Sequence, residues 1–170
     1  EAPIDHTKTS NVLRGVHVER KLSMAIKLLP MSVNRVALGK SSLAQDIQVL
    51  QQLDHPNLVR VYGGAVEQGQ PYLVLELVDG ESLQQRIARR GRLPWEMAIE
   101  IVDGLCEALA YLHGRGIVHQ RITPDRILLP AAGGVQLTGL DCKWADQDEV
   151  AAGRSPMRVA HYLSPEQFRG

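Results

Sequence analysis

Apolar and polar residues alternate through the first half of the chain and recur at three- and four-residue steps through most of the second. From Val12 the pattern is strand-like, with Val16 and Val18 alternating with Gly15, His17 and Glu19. Met24 to Leu29 is a second apolar run, short enough for a buried strand, and Pro30 ends it. Residues 40 to 53 predict a helix whose stripe is Leu43, Ile47, Leu50 and Leu53. Asp54-His55-Pro56-Asn57 reads as a turn. Leu58 to Tyr62 and Tyr72 to Leu77 read as two strands of a hairpin, joined by the Glu67-to-Pro71 stretch that contains Gly69.

After Gly80 the period changes. A short helix is predicted from about Ser82 to Arg90-Gly91. Pro94 opens a long one with the stripe Ile99, Val102, Cys106, Leu109 and Leu112, ended by Gly114 and Gly116. Two short strands follow, Ile127-Leu128-Leu129 and Val135-Gln136-Leu137, with a turn at Gly133-Gly134. Residues 141 to 159 are polar and read as a loop. A strand-rich half followed by a helical half implies an α+β architecture in two lobes, residues 1–78 and 79–170, divided at Val78-Asp79-Gly80. Clefts between lobes are common ligand sites.

Composition narrows the partners. The 170 residues are 44% hydrophobic and 22% charged, an ordinary globular mixture. Lys+Arg and Asp+Glu number 19 each, so the net charge is zero and gives no general case for nucleic acid or an anionic membrane. The local basic group Arg86, Arg89, Arg90 and Arg92 reads as a solvated helix end. The two cysteines, Cys106 and Cys142, make no disulfide framework. Cys106 falls on the apolar stripe and reads as a small buried hydrophobe, and a reducing, cytoplasmic compartment is the expectation. No apolar run approaches the roughly 20 residues of a membrane span, and no signal-peptide pattern is present. The start at Glu1 rather than Met reads as cut or processed.

Several local words carry a resemblance. They are Met24-Ala25-Ile26-Lys27, His55-Pro56-Asn57-Leu58-Val59, Tyr72-Leu73-Val74-Leu75-Glu76, Tyr111-Leu112-His113 with Gly116-Ile117-Val118-His119, and Tyr162-Leu163-Ser164-Pro165-Glu166-Gln167. In this order and spacing the chain resembles a protein-kinase domain of the bacterial serine/threonine type, from about residue 12 to its last residue. The resemblance implies a small β-rich N-lobe and the first part of a helical C-lobe. The expectation is that the domain continues beyond the Ser164-Pro165-Glu166 motif, and that these residues expressed alone are marginally stable.

The chemical positions implied by the resemblance can be compared with what phosphoryl transfer needs, which is mostly positioning and neutralisation of charge. The phosphate loop needs glycines so that backbone can approach phosphates. Taking Val12 as the Val that closes that motif puts Asp5, Thr7 and Ser10 at the glycine positions. Lys27 falls on the strand lysine that holds phosphates. Its helix partner falls at Asp46, which pairs with Lys27 or is a plain surface charge. The catalytic loop reads His119-Gln120-Arg121-Ile122-Thr123-Pro124-Asp125-Arg126. Arg121 stands at the catalytic base and cannot accept a proton. Thr123 stands at the loop lysine, and Arg126 and Gly139 stand at the two metal-ligand positions. Asp141 lies two residues beyond Gly139 and reaches a metal only in a shifted register.

Packing positions are kept where chemical ones are lost. The resemblance puts Leu50, Val61, His119 and Leu140 on one internal spine, and Val12, Ala25 and Leu128 on a second that an adenine ring would complete. Leu75 falls at the gatekeeper, and Glu76 to Val78 at the hinge. Glu166 would pair with an arginine further along such a domain. The expectation is therefore a pseudokinase segment: impaired in transfer, with ATP binding through Lys27, Val12, Ala25, Glu76, Val78 and Leu128 still open, and Mg²⁺ not expected. Its expected partner is a protein, either another kinase or a regulated protein, with no nucleic acid and no membrane segment. The alternatives are a kinase with weak or atypical transfer using Lys27 and Asp141, or a decayed segment kept only as a fold. Ser155 reads as a solvated loop serine or a phosphosite.

Overall fold

The computed structural model describes residues 12–30, 42–140, 161–162 and 164–166. Asp5, Thr7, Ser10, Asp141, Cys142 and Ser155 lie outside the described residues. Contacts divide the chain into two compact units after Leu77, with His55–Val59 belonging to the second unit. The sequence boundary fell one residue later and left residues 55–59 in the first lobe.

The first unit is an antiparallel sheet of order β1-β2-β4-β3, formed by β1 (Val12–Val16), β2 (Ser23–Leu28), β3 (Val61–Glu67) and β4 (Gln70–Glu76). Strand β4 shows the physical basis most clearly. Pro71, Leu73 and Leu75 are buried and alternate with half-buried Tyr72 and Val74, the two-residue period of a pleated strand. Helix α1 (Ser42–Gln51) lies on this sheet. Its stripe Leu43, Ile47 and Leu50, together with Leu53 just beyond it, is buried as the spacing predicts. The Gln51 side-chain amide donates to the Tyr62 carbonyl at 2.8 Å and ties the helix end to β3.

Two strand readings are corrected. Strand β1 ends at Val16, and Val16 and Val18 are 62% and 89% exposed. The buried phase belongs instead to Gly15, whose missing Cβ leaves room for Ile26. The chain turns directly after Val16, and the turn is closed by the His17 N–H donating to Leu22 O at 2.9 Å. Strand β3 begins at Val61 rather than Leu58. Leu58 and Val59 belong to the other unit, where the Val59 N–H donates to Leu137 O at 3.0 Å. One continuous apolar run thus serves two units. The β3–β4 turn is two residues, Gln68 and Gly69, at φ of 49° and 84°. Positive φ at both centres is what the twist of a two-residue hairpin requires.

The second unit holds β5 (Gly80–Ser82), α2 (Leu83–Arg90), α3 (Trp95–His113), a 3₁₀ turn (Pro124–Arg126), β6 (Ile127–Pro130) and β7 (Gln136–Leu137), with sheet order β5-β6-β7. Strand β5, three residues long, is too short to show a period and was not anticipated. Helix α2 opens with a capping box: the Gln85 N–H donates to Ser82 Oγ, and the Ser82 N–H donates to Gln85 Oε1. Arg90 and Arg92 are exposed as a solvated helix end would be, but Arg86 and Arg89 are paired. Glu81 accepts from Arg86 and, at 2.6 Å, from Arg89. Desolvation pushes the Glu81 carboxyl up, but the hydrogen bond and charge of Arg86, joined by those of Arg89, outweigh it and hold it below the ordinary carboxylate range.

Helix α3 turns a different face inward from the one its large apolar residues predicted. Ile101, Gly104, Ala108 and Leu112 are buried, whereas Ile99 and Val102 are 58% and 57% exposed. Cys106, expected to be buried, is an exposed free thiol. Small residues set the face. A Cβ at Gly104 would lie 2.8 Å from the Asn57 side-chain amide and closer still to Val135. That amide donates to the Val135 carbonyl at 2.9 Å, so helix, turn and hairpin meet where only glycine fits. We expect Gly104→Ala to destabilise the protein by about 1–3 kcal/mol, as overpacking does. A urea titration that leaves the midpoint unchanged would rule out this packing account. Pro94 precedes the helix as its cap rather than serving as its first residue. Among the described residues, no helix is long and apolar enough to cross a membrane.

Candidate functional site

The sheet register gathers part of the predicted nucleotide set on one face. Val12 pairs with Lys27, and Ala25 pairs with Leu75. Residues directly opposite in an antiparallel pair share a face, as do residues two apart. Val12, Ala25, Lys27 and Leu75 therefore lie on the same side of the sheet. So do Leu73 and Gly64, which pair with one another. A Cβ on Gly64 would lie 2.9 Å from Ile47 Cδ1, so this is the face that α1 covers. Asp46 stands on α1 beside Ile47, half-buried, and Leu50 one turn further on is buried. Val61 is buried at the start of β3.

Glu76, at the end of β4, is tied within the first unit. Its N–H donates to Arg60 O at 2.9 Å, and its Oε2 accepts from the Arg60 N–H at 3.3 Å. Val78 and Leu128 belong to the second unit and are half-buried there, Leu128 on β6.

The loop carrying the positions that the resemblance assigns to catalysis is built around His119, which is 2% exposed. The Thr138 carbonyl lies 3.1 Å from His119 Nε2, and the Arg121 N–H points to His119 Nδ1 at 3.4 Å. A carbonyl can only accept and an amide N–H can only donate, so the ring carries its proton on Nε2. The Arg121 N–H also donates to His119 O at 2.9 Å, closing a γ-turn about Gln120, whose φ is 66°. A non-glycine residue in this region is strained and is held there by its surroundings. The Arg121 side chain is half-buried. Thr123 is 5% exposed and precedes the 3₁₀ turn, which the Arg126 N–H closes by donating to Thr123 O at 2.9 Å and where Pro124 is set by its fixed φ.

The 3₁₀ turn delivers Arg126 into the β6–β7 hairpin. Ile127 pairs with Leu137, and the same register continues one step back, where the Thr138 N–H donates to Arg126 O at 2.9 Å. Arg126 is 9% exposed, and its Nη1 donates to Gly139 O at 3.0 Å inside the unit. Gly139 has φ of 94°, which L side chains rarely adopt. A Cβ there would lie 2.6 Å from Arg126 Nη1, 2.9 Å from Cδ and 3.2 Å from Cζ. The guanidinium thus lies against the α-carbon of Gly139, in the space a side chain at 139 would need. These are the two positions that the family resemblance assigns to the metal ligands. One offers a permanent cation and the other no side chain, where a hard divalent ion needs oxygen donors. The pair does not fit Mg²⁺. Sequence reading took Arg126 and Gly139 as two separate losses and missed their complementarity. The signal was present: the bulkiest cation arrives at one position and the smallest residue at the other.

Leu140, following Gly139, is half-buried, and Glu166 is exposed. The Ser164 side chain and the Glu166 backbone N–H hydrogen-bond the Glu166 carboxyl and hold it below the usual carboxylate range, against a small opposing desolvation. Among the described residues, no group of three or more His, Cys, Asp or Glu could hold a metal ion.

The architecture is α+β, with a lysine-bearing sheet and its packed helix in the first unit and a His-anchored loop leading into a β-hairpin in the second. The chain belongs to the protein kinase domain family, which it matches over residues 5–170. It is similar to the serine/threonine-protein kinase PknB of Mycobacterium leprae (strain TN), 33% identical over 165 residues that cover 91% of this chain and 26% of that protein. It is also similar to a probable serine/threonine-protein kinase of Clostridium perfringens (strain 13 / Type A), 35% identical over 89% of this chain and 22% of that protein. The serine/threonine-protein kinase PrkC of Bacillus subtilis (strain 168) is 34% identical over 74% of this chain and 20% of its own length. The chain thus spans about a quarter of the length of these relatives. Homology to bacterial serine/threonine kinases agrees with the fold and implies ATP binding as the general property of such domains.

Proposed function

We propose that this chain is the nucleotide-contacting part of a kinase-family domain that works by binding rather than by transfer. The observation that carries this reading is the Arg126 guanidinium packed on Gly139. The family resemblance assigns Arg126 and Gly139 to the positions where transfer chemistry needs ligands for a divalent cation, and Arg121 to the position where it needs a proton acceptor. Loss of a positioned general base alone costs about 10²–10⁴-fold, and losing the metal removes the main charge stabilisation besides. In the first unit Val12, Ala25 and Lys27, nucleotide-binding positions of the family pattern, share one sheet face. The domain would take ATP without Mg²⁺ and present its bound or free form to a protein partner, another kinase or a protein it regulates.

The test is a radiolabelled transfer assay on the full-length protein with Mg²⁺, comparing wild type with Lys27→Ala. The expected result is no label above background in either. Lys27-dependent incorporation into the protein or a generic substrate would establish the competing reading, weak transfer by an atypical arrangement.

A further inference from the structure

The turn between β1 and β2 exposes side chains that nucleotide binding does not use. We infer that this hairpin tip docks on an anionic lipid surface, entered by Val18 with Val16 and Leu22 and held by Arg14, Arg20 and Lys21. The inference goes beyond the reading above and stands independently of it.

Val16, Val18 and Leu22 are 62%, 89% and 45% exposed, so three apolar side chains meet solvent around one turn. The turn is fixed by its own bonds. The His17 N–H donates to Leu22 O at 2.9 Å, the Lys21 N–H to His17 O at 2.8 Å, and the Arg20 N–H to His17 Nδ1 at 3.2 Å. The apolar tip is therefore preorganised, and docking has little left to order. Arg14, Arg20 and Lys21 are exposed beside it, and Glu19 is the one carboxylate from Val12 to Leu28. The ion pairs of Arg60, Arg86 and Arg89 lie elsewhere, and among the described residues none involves these three cations. Lys21 sits at φ of 51°, so a charge is carried at a position that glycine would fill with less strain. The whole chain is neutral, so any attraction to an anionic surface comes from this local concentration of cations. A few apolar side chains flanked by cations suit a bilayer, where the former enter the headgroup boundary and the latter meet its anionic groups. A protein partner would need more, since a stable interface takes about 20–30 residues a side. Such a tip lies on the bilayer and spans nothing, in keeping with the lack of a membrane-crossing helix among the described residues.

The experiment is co-sedimentation of the full-length protein with vesicles of phosphatidylcholine alone and of phosphatidylcholine containing about a third phosphatidylserine. The expected result is tighter binding to the anionic vesicles by a factor on the order of 10–100, since each cation near such a surface contributes roughly fivefold. Raising the salt from about 0.1 M to about 1 M, over which the screening length falls from ~10 Å to ~3 Å, should remove most of that difference. Val18→Ser should lower partition into anionic vesicles roughly tenfold. Arg20→Gln with Lys21→Gln should lower it by a factor on the order of 10. Val18 is 89% exposed and has almost no packing to lose, so its variant should fold as the wild type does. Val49→Ser on α1 and Arg90→Gln at the end of α2 alter exposed residues elsewhere and should bind as the wild type does. Equal wild-type binding to the two kinds of vesicle overturns the inference. So does binding by the tip variants at the wild-type level, which would place any lipid affinity elsewhere in the full-length protein. Absence of binding to both kinds of vesicle also overturns it, and would turn the search to an acidic protein partner.

Discussion

Gly139→Ala should be among the most destabilising single substitutions in the chain, costing about 2–6 kcal/mol. Two independent terms add. The backbone at 139 sits at φ of 94°, and an L side chain held in so sparsely populated a region costs about 1–3 kcal/mol. The new Cβ would also lie 2.6 Å from Arg126 Nη1 and 2.9 Å from Cδ, so the buried guanidinium must shift. Overpacking of this kind costs a further 1–3 kcal/mol or so. Against a total folding stability of about 5–15 kcal/mol this is a large fraction. The decisive measurement is a double-mutant cycle by urea denaturation. With Arg126→Asn in the background, the steric term disappears and only the backbone term remains. The two substitutions should then couple by about 1–3 kcal/mol, the double variant being more stable than the sum of the singles predicts. Additivity within a few tenths of a kcal/mol would mean that Arg126 does not depend on the bare α-carbon of Gly139, and the argument for a co-adapted pair would fall.

What the sequence shows of this molecule follows from which interactions are local. The α1 stripe and the alternation in β4 are legible because each buries its large apolar residues against one partner, so period and burial coincide. The same rule misreads α3, where contact with the Asn57 turn and Val135 is made by Gly104 and the larger Ile99 and Val102 are left exposed. A hydrophobicity pattern weighs size, while close approach of backbone selects smallness. Leu58-Val59 and Val61 look like one strand because nothing in a single sequence marks where a run passes from one unit to another. At the site, Arg121, Thr123, Arg126 and Gly139 are each singled out by the family resemblance alone. Their arrangement is not, because the pairing of residue 126 with 138 depends on the register of a short hairpin whose strands are too brief to show a period. Read one position at a time, these residues suggest decay. The geometry joins Arg126 and Gly139 as a fitted pair, and that is why the two are proposed to have a role.

His119→Ala should cost about 3–5 kcal/mol, through a cavity at a position 2% exposed and through the loss of both ring hydrogen bonds. Two further variants separate the contributions. His119→Phe fills most of the volume but leaves the Thr138 carbonyl without its imidazole donor and the Arg121 N–H without Nδ1, so about 1–3 kcal/mol should remain lost. His119→Gln can return one donor to the Thr138 carbonyl and should recover part of that. If Phe restores full stability, the ring acts by volume alone and the hydrogen bonds contribute nothing. The consequence extends beyond stability, because these bonds hold the strained Gln120 turn that places Arg121 and, through the 3₁₀ turn, Arg126. With the anchor removed, a γ-turn at φ of 66° has less to keep it in place and should relax toward an ordinary conformation. Amide exchange at Arg121 and Arg126 should therefore quicken in His119→Phe more than at Ile101 or Leu112 in the buried face of α3. Uniform acceleration across all four amides would show that His119 supports the unit as a whole rather than this loop in particular.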